Sequence, residues 1–133
     1  MTMATLRVEI TAPDKVEVFE DVAYVSLDAS TGSLGVLPGH ADILGELGIG
    51  MLLVRTSEGE KVFAVAGGFF EVRDGVLRVL ADALERQDEI DVERALAARR
   101  RAEQMLESSG GGDPKARVAL MRARNRLRIA GKG

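Results

Sequence analysis

Phe69-Phe70-Glu71-Val72-Arg73-Asp74-Gly75-Val76-Leu77-Arg78-Val79-Leu80-Ala81 is the stretch on which the fold class turns. Two runs rich in Val, Leu and Phe flank Asp-Gly, a dipeptide favoured in two-residue type I′ hairpin turns. The stretch therefore predicts a β-hairpin. At about Leu84 the pattern changes. Val92, Ala95, Ala98, Ala102 and Met105 recur at spacings of three and four, the period of an amphipathic helix. A strand-rich half followed by a helical half is an α+β arrangement, divided here into residues 1–84 and 85–133.

Upstream of the hairpin the strand signal continues. Leu6, Val8 and Ile10 alternate with Arg7, Glu9 and Thr11, the period of a half-buried strand. Val16, Val18, Val22, Tyr24 and Val25 supply two more short runs, and Ile49 to Arg55 and Lys61 to Ala66 follow. Thr31-Gly32 and Glu58-Gly59 mark turns, and ten of the 15 glycines fall in this half. Many short strands with frequent turns point to a β-sandwich or barrel.

Downstream, the reading is two helices. Asp88 or Asp91 can cap the first, placed at about 90–107. Ser108-Ser109-Gly110-Gly111-Gly112 stops it, and Asp113-Pro114 starts a second at about 113–130, an N-cap acceptor followed by proline. Ala116, Ala119, Leu120, Ala123, Leu127 and Ala130 form its apolar stripe. A five-residue connection lets the helices fold back as an antiparallel hairpin. Its seam is mostly alanine, which buries little area per contact, so the hairpin should open more easily than one seamed with leucine.

Composition excludes several classes. Hydrophobic residues make up 46% of the 133, enough for a core, yet aromatics are only 4%, so Val, Leu, Ile and Ala must build it. The absence of cysteine rules out a disulfide framework or thiolate metal site. The start, MTMATLRVEI, has no apolar run like that of a signal sequence, and no stretch approaches the ~20 apolar residues of a membrane span. The expectation is a soluble protein, or one that reaches a membrane only through partners. Residues 1–84 carry a net −7 and residues 85–133 a net +4, so the helical half should face something negative. Nucleic acid is a poor candidate, because that basic half has no aromatic side chain to stack bases.

No catalytic or metal set can be assembled. His40 is the only histidine and sits in a Pro-Gly-His turn, where fixing the loop or contacting a neighbouring subunit is the better reading. The glycines at 32, 35 and 39 lack the following Lys-Ser/Thr of a phosphate-binding loop. The arginines say more. At 100° per residue, Arg94 and Arg101 lie within about 20° of each other, and Arg122 and Arg126 within about 40°, all beside the alanine stripes. Four guanidinium groups over one cleft would repel unless an anion, with phosphate the natural candidate, lay between them. Arg117, Arg124 and Arg128 lie within about 40° on the opposite face of the second helix, suited to an acidic partner.

Two stretches carry a family resemblance. Gly32-Ser33-Leu34-Gly35-Val36-Leu37-Pro38-Gly39-His40 resembles the GxLGILPGH segment of F-type ATP synthase epsilon subunits, and Phe63-Ala64-Val65-Ala66-Gly67-Gly68-Phe69-Phe70-Glu71-Val72 resembles their FAVSGGFVEV segment. Ala66, where Ser is common, and the triple glycine are mild departures. The resemblance implies a ten-stranded β-sandwich followed by the two-helix hairpin. It implies a non-catalytic rotor subunit of the proton-translocating complex, at the cytoplasmic face of a bacterial inner membrane. The sandwich would contact the gamma subunit and the c-ring, with Leu37, Pro38, Gly39 and His40 as a contact loop. The hairpin would restrain ATP hydrolysis, its Arg117, Arg124 and Arg128 meeting an acidic loop of a catalytic beta subunit.

Ile90-Asp91-Val92-Glu93-Arg94-Ala95 matches the I/L-D-x-x-R-A motif of members that bind ATP on the hairpin. By that resemblance Glu85, Ile90, Asp91, Arg94, Ala95, Arg101, Arg122 and Arg126 are the ATP contacts, with ATP a regulatory ligand and no covalent cofactor. A free-standing nucleotide sensor is the alternative: it would use the same arginine cleft but have no need of gamma. A small β-sandwich enzyme is disfavoured for want of a catalytic constellation.

Overall fold

The structure, a computed structural model, describes residues 4–131. Alternation in the sequence becomes alternation in burial: along β1 (Leu6–Ala12), Leu6, Val8, Ile10 and Ala12 are buried while Arg7, Glu9 and Thr11 are not. The remaining strands are β2 (Lys15–Val22), β3 (Tyr24–Ala29), β4 (Gly32–Val36), β5 (Ile43–Thr56), β6 (Gly59–Ala66), β7 (Gly68–Arg73), β8 (Val76–Ala81) and β9 (Leu84–Arg86). They pair in the order β2-β1-β8-β7-β5-β3-β4, with β6 on β5 and β9 on β6. Only the β1–β8 ladder is parallel among those described.

The long strand β5 explains why the described residues hold nine strands where the resemblance implies ten. Residues 43–46 pair with β7, whereas residues 47–56 pair with β3 and β6, so one strand serves both sides of the sheet. The sheet turns at β5 around a single core that includes Ile10, Leu27, Leu52, Phe63, Leu77 and Val79. Among the described residues it stays open: β2, β4 and β9 each lack a second neighbour in the sheet. The sequence reading began this strand at Ile49, because Gly45 and Gly48 thin the apolar pattern before it. It also missed β4, whose Gly32 was read only as part of a turn.

The deciding hairpin is as expected. β7 and β8 pair from Gly68↔Ala81 to Arg73↔Val76, and the turn residues Asp74 and Gly75 have φ of 51° and 76°. Gly68 begins β7 at φ 123°, and a Cβ placed there would stand 2.0 Å from the Leu80 carbonyl oxygen, so no other residue fits.

The chain divides into two compact units, Met1–Arg86 and Gln87–Gly133. The second contains a short 3-10 turn (Gln87–Glu89) and the helices α1 (Val92–Ser108) and α2 (Pro114–Ile129). Asp91 caps α1 by accepting from the Arg94 N–H at 3.1 Å, and Asp113 caps α2 by accepting from Lys115 and Ala116, with Pro114 in the first turn. Gln87 Nε2 donates to the Ile129 carbonyl at 2.8 Å, so the end of α2 returns to the start of the unit and the helices are antiparallel. The seam is Ala95 and Ala102 against Ala116, Leu120, Ala123 and Leu127, all buried. Met105 and Ala119, expected on the stripes, are exposed. Each lies about 70° round from its seam, and an alanine seam is too narrow to cover that angle.

Candidate functional site

The expected ATP contacts fall on several elements. Glu85 lies on β9, half-buried and paired with Ala64, in the first unit. The others belong to the second. Ile90 is half-buried before α1, Asp91 is the exposed cap, and Ala95 is fully buried in the seam, where it can let the helices approach but offers a ligand little surface. Arg94, Arg101 and Arg122 are exposed, and Arg126 is half-buried.

The seam now fixes how the arginines are grouped. Arg94 and Arg101 sit about 90–110° to one side of the α1 seam, and Arg122 and Arg126 about 90–130° to the same side of the α2 seam. In an antiparallel pair, equal offsets in the same sense put side chains on the same side of the hairpin. Counting from the connection, Arg101 is level with Arg122, and Arg94 with the turn that holds Arg126. Exposed Met105 shares this side. Arg101 and Met105 also line a shallow groove of about 570 Å³ with Gln104, Ser108, Ser109 and Asp113. The groove lies toward the connection, and Arg94, Arg122 and Arg126 are not part of its wall.

Arg117, Arg124 and Arg128 fall on the other side, and all three are exposed. They are not equivalent. Arg128 Nη2 donates to Asn125 Oδ1 at 2.6 Å, and Asn125 is buried, so Arg128 is held by its own helix. Arg117 and Arg124 have no acidic side chain within ion-pair distance among the described residues.

In the first unit, Leu37-Pro38-Gly39-His40 is a hydrogen-bonded β-turn. The His40 N–H donates to the Leu37 carbonyl at 3.0 Å, and Gly39 takes φ 81°, as a type II turn requires after proline. His40 Nδ1 donates to the Ala41 carbonyl at 2.6 Å, which turns the ring back onto its own loop. Leu37 projects outward, 57% exposed.

One surface was missed by sequence reasoning. Val16, Leu80 and Phe69 are exposed and stand in one row across the outer face of the sheet, through the pairs Thr11↔Val16, Thr11↔Leu80 and Phe69↔Leu80. The signal was present in Phe69-Phe70 and Val79-Leu80, where apolar neighbours break the alternation and one of each must face outward. Beside this row runs a charged one: Glu9 is paired with Arg7 and Arg78, and Arg78 with Glu71. The hydrogen bond from Arg7, helped by the charges of Arg7 and Arg78 and opposed by partial burial, holds the Glu9 carboxyl below its ordinary range.

Among the described residues no cluster of potential metal ligands occurs, and no helix is long and apolar enough to cross a membrane.

Known proteins account for both units. The model of the ATP synthase delta/epsilon chain β-sandwich domain matches residues 5–87, and that of the delta/epsilon chain long α-helix domain matches residues 88–131. The ATP synthase epsilon chain of Desulforamulus reducens is 45% identical over 130 residues, covering 95% of this chain and 97% of the relative. That of Bacillus pumilus is 42% identical, covering 98% and 100%. A chain in the Euglena gracilis mitochondrial ATP synthase OSCP/F1/c-ring structure superposes with a TM-score of 0.70 at 25% identity, covering 98% of this chain and 79% of that one. The matches run through strands and hairpin alike, and the chain belongs to the ATP synthase delta/epsilon family, as an epsilon chain of the bacterial type.

Proposed function

We propose that the helical hairpin of this central-stalk subunit is a nucleotide-sensing brake, and that the outer face of its sheet is the fixed mount. The chain is a non-catalytic epsilon subunit and couples the rotor to the gamma subunit and c-ring. The exposed row Val16, Leu80 and Phe69 supports a protein contact on the sheet, since such an apolar row is costly to leave in water. We assign it to gamma, and the Leu37–His40 turn to contact with gamma or the c-ring. The subunit is peripheral, and its place is the cytoplasmic face of the bacterial inner membrane.

The observation that carries the brake is the grouping of Arg94, Arg101, Arg122 and Arg126 on one side of an alanine-seamed hairpin beside exposed Met105. Arginines supply bidentate contacts for a triphosphate, and the thioether an apolar surface for a base. A ligand that binds only the closed hairpin shifts it toward closure by mass action. Opened, the hairpin would present Arg117 and Arg124 to an acidic loop of a beta subunit. Calorimetric titration of the whole chain with ATP tests the reading. Heat of binding that disappears in Arg94→Ala with Arg126→Ala is the expected result. No heat, or heat unaffected by that double substitution, rejects the site.

A further inference from the structure

The sheet is open at β2 and β9, and among the described residues no backbone ladder joins those two edges. Side chains do. On β2, Glu17 and Phe19 are two residues apart and therefore share a face. Arg86 of β9 and Phe63 of β6 are direct cross-strand neighbours. The two couples meet across the gap. Phe19 and Phe63 pack edge to face with centroids 6.3 Å apart, and the Glu17 carboxylate takes Arg86 Nε at 3.1 and 3.0 Å, with Nη2 completing the fork. The Glu17 side chain is only 11% exposed and that of Arg86 36%, so the pair is shielded in a way a surface salt bridge is not.

We infer that Glu17–Arg86 is a latch that holds β9 on the sheet and so sets the length of the tether to the helical unit. β9 has three residues and pairs with one strand, through Phe63↔Arg86, Ala64↔Glu85 and Val65↔Leu84. So short an edge strand is weakly held by its ladder alone. The next residue, Gln87, begins the helical unit. Peeling β9 away would add three residues, roughly 10 Å of extended chain, ahead of that unit. The aromatic pair does not depend on β9, whereas buried Leu84 would leave the core with the strand, so the latch and Leu84 together hold β9 down. The latch is independent of what the hairpin binds.

Amide hydrogen exchange on the full chain tests it, comparing the native protein with Glu17→Gln, Arg86→Gln and the charge swap Glu17→Arg with Arg86→Glu. Each single substitution is expected to speed exchange across the β6–β9 ladder about tenfold or more, with β1 and β8 amides unchanged. Arg86→Gln should act more strongly, because it strands a shielded carboxylate without its cation. The swap should recover much of the protection. Native-like exchange in both single variants overturns the latch. Should a variant loosen the whole sheet, exchange of the native protein in low denaturant decides. β9 amides must open before those of β1 and β8, and opening only together with them also overturns it.

Discussion

The two units solve the same packing problem with opposite materials. The sheet buries large branched and aromatic side chains such as Phe63, Leu27, Ile10 and Leu52 at or near zero exposure, whereas the hairpin closes mainly on Ala95, Ala102, Ala116 and Ala123. At about 25 cal/mol per Å² of buried apolar surface, each alanine contributes a fraction of what a leucine does. The sheet is therefore held by more buried apolar surface per contact than the hairpin. The proposed brake would need a mount that holds its shape and a hairpin that opens, and the two kinds of packing are kept in separate units.

The sharpest break of the comparison is Gly68→Ala. Its Cβ would collide with the Leu80 carbonyl at 2.0 Å, in a backbone conformation that alanine avoids. We expect a loss of about 4 kcal/mol or more, at the severe end of single substitutions, with the first unit unfolding early in chemical denaturation. The helical signal should outlast it. Simultaneous loss of both signals would mean that the units are one cooperative body and the contrast is false.

Next in size is overpacking the seam. Ala102→Leu inserts a branched side chain where Ala102 is 2% exposed, and should cost the hairpin about 1–3 kcal/mol. Helical circular dichroism should melt earlier while sheet protection stays put. If the closed hairpin is the ATP-binding form, affinity should fall in parallel. Unchanged affinity with a loosened hairpin would detach ligand binding from closure.

These contrasts were unequally legible in the sequence. Local rules sufficed where geometry is local: Asp74-Gly75 announced its turn, Asp113-Pro114 its helix start, and the Ala spacing its seam. They failed where one element serves two neighbours. Residues 43–56 form one strand shared by both sides of the sheet, which no window of alternation can reveal, and so the strands among the described residues number nine. They also failed for exposed apolar residues. In Phe69-Phe70 and Val79-Leu80 one residue of each pair must face outward, but hydrophobicity alone does not say which face of a strand is covered. The arginine groups were legible as angles, but the pairing of Arg128 with Asn125 was not, since a buried Asn in a polar helix carries no sequence signal.

That pairing yields a smaller effect in the assembled enzyme. Arg124→Glu should relieve inhibition of hydrolysis, because Arg124 is exposed and has no acidic partner among the described residues. Arg128→Glu should in addition destabilise the end of α2, since it removes one of the hydrogen bonds of buried Asn125. ATP hydrolysis by complexes carrying each variant, with helix melting of the isolated chain, separates the two. Full inhibition at low salt in both variants would remove this face of α2 from the brake.

Finer still is the cap at Asp91, which has both a structural and a proposed ligand role. Asparagine caps helices as well as aspartate does, so Asp91→Asn should leave α1 within about 0.5 kcal/mol of native, while Asp91→Ala should cost about 1 kcal/mol. ATP affinity altered in both variants would mean that the charge matters to the ligand. Affinity altered in Asp91→Ala alone would reduce Asp91 to a cap.

The smallest effect belongs to the sheet and comes from Glu9. Its folded pKa is lowered, first by the Arg7 hydrogen bond and further by the charges of Arg7 and Arg78. A depressed carboxylate contributes stability that is fully present above its unfolded value of about 4.3 and is lost as pH falls through the lower folded value. The melting temperature of the native chain should therefore exceed that of Glu9→Gln at pH 7, by little because the pairs are solvent-exposed. The gap should narrow below about pH 4 and close as Glu9 protonates. A gap that persists undiminished into strong acid would show that Glu9 acts through packing against its neighbours on β2 and β8. The charged row would then be one more rigid part of the mount, without electrostatic tuning.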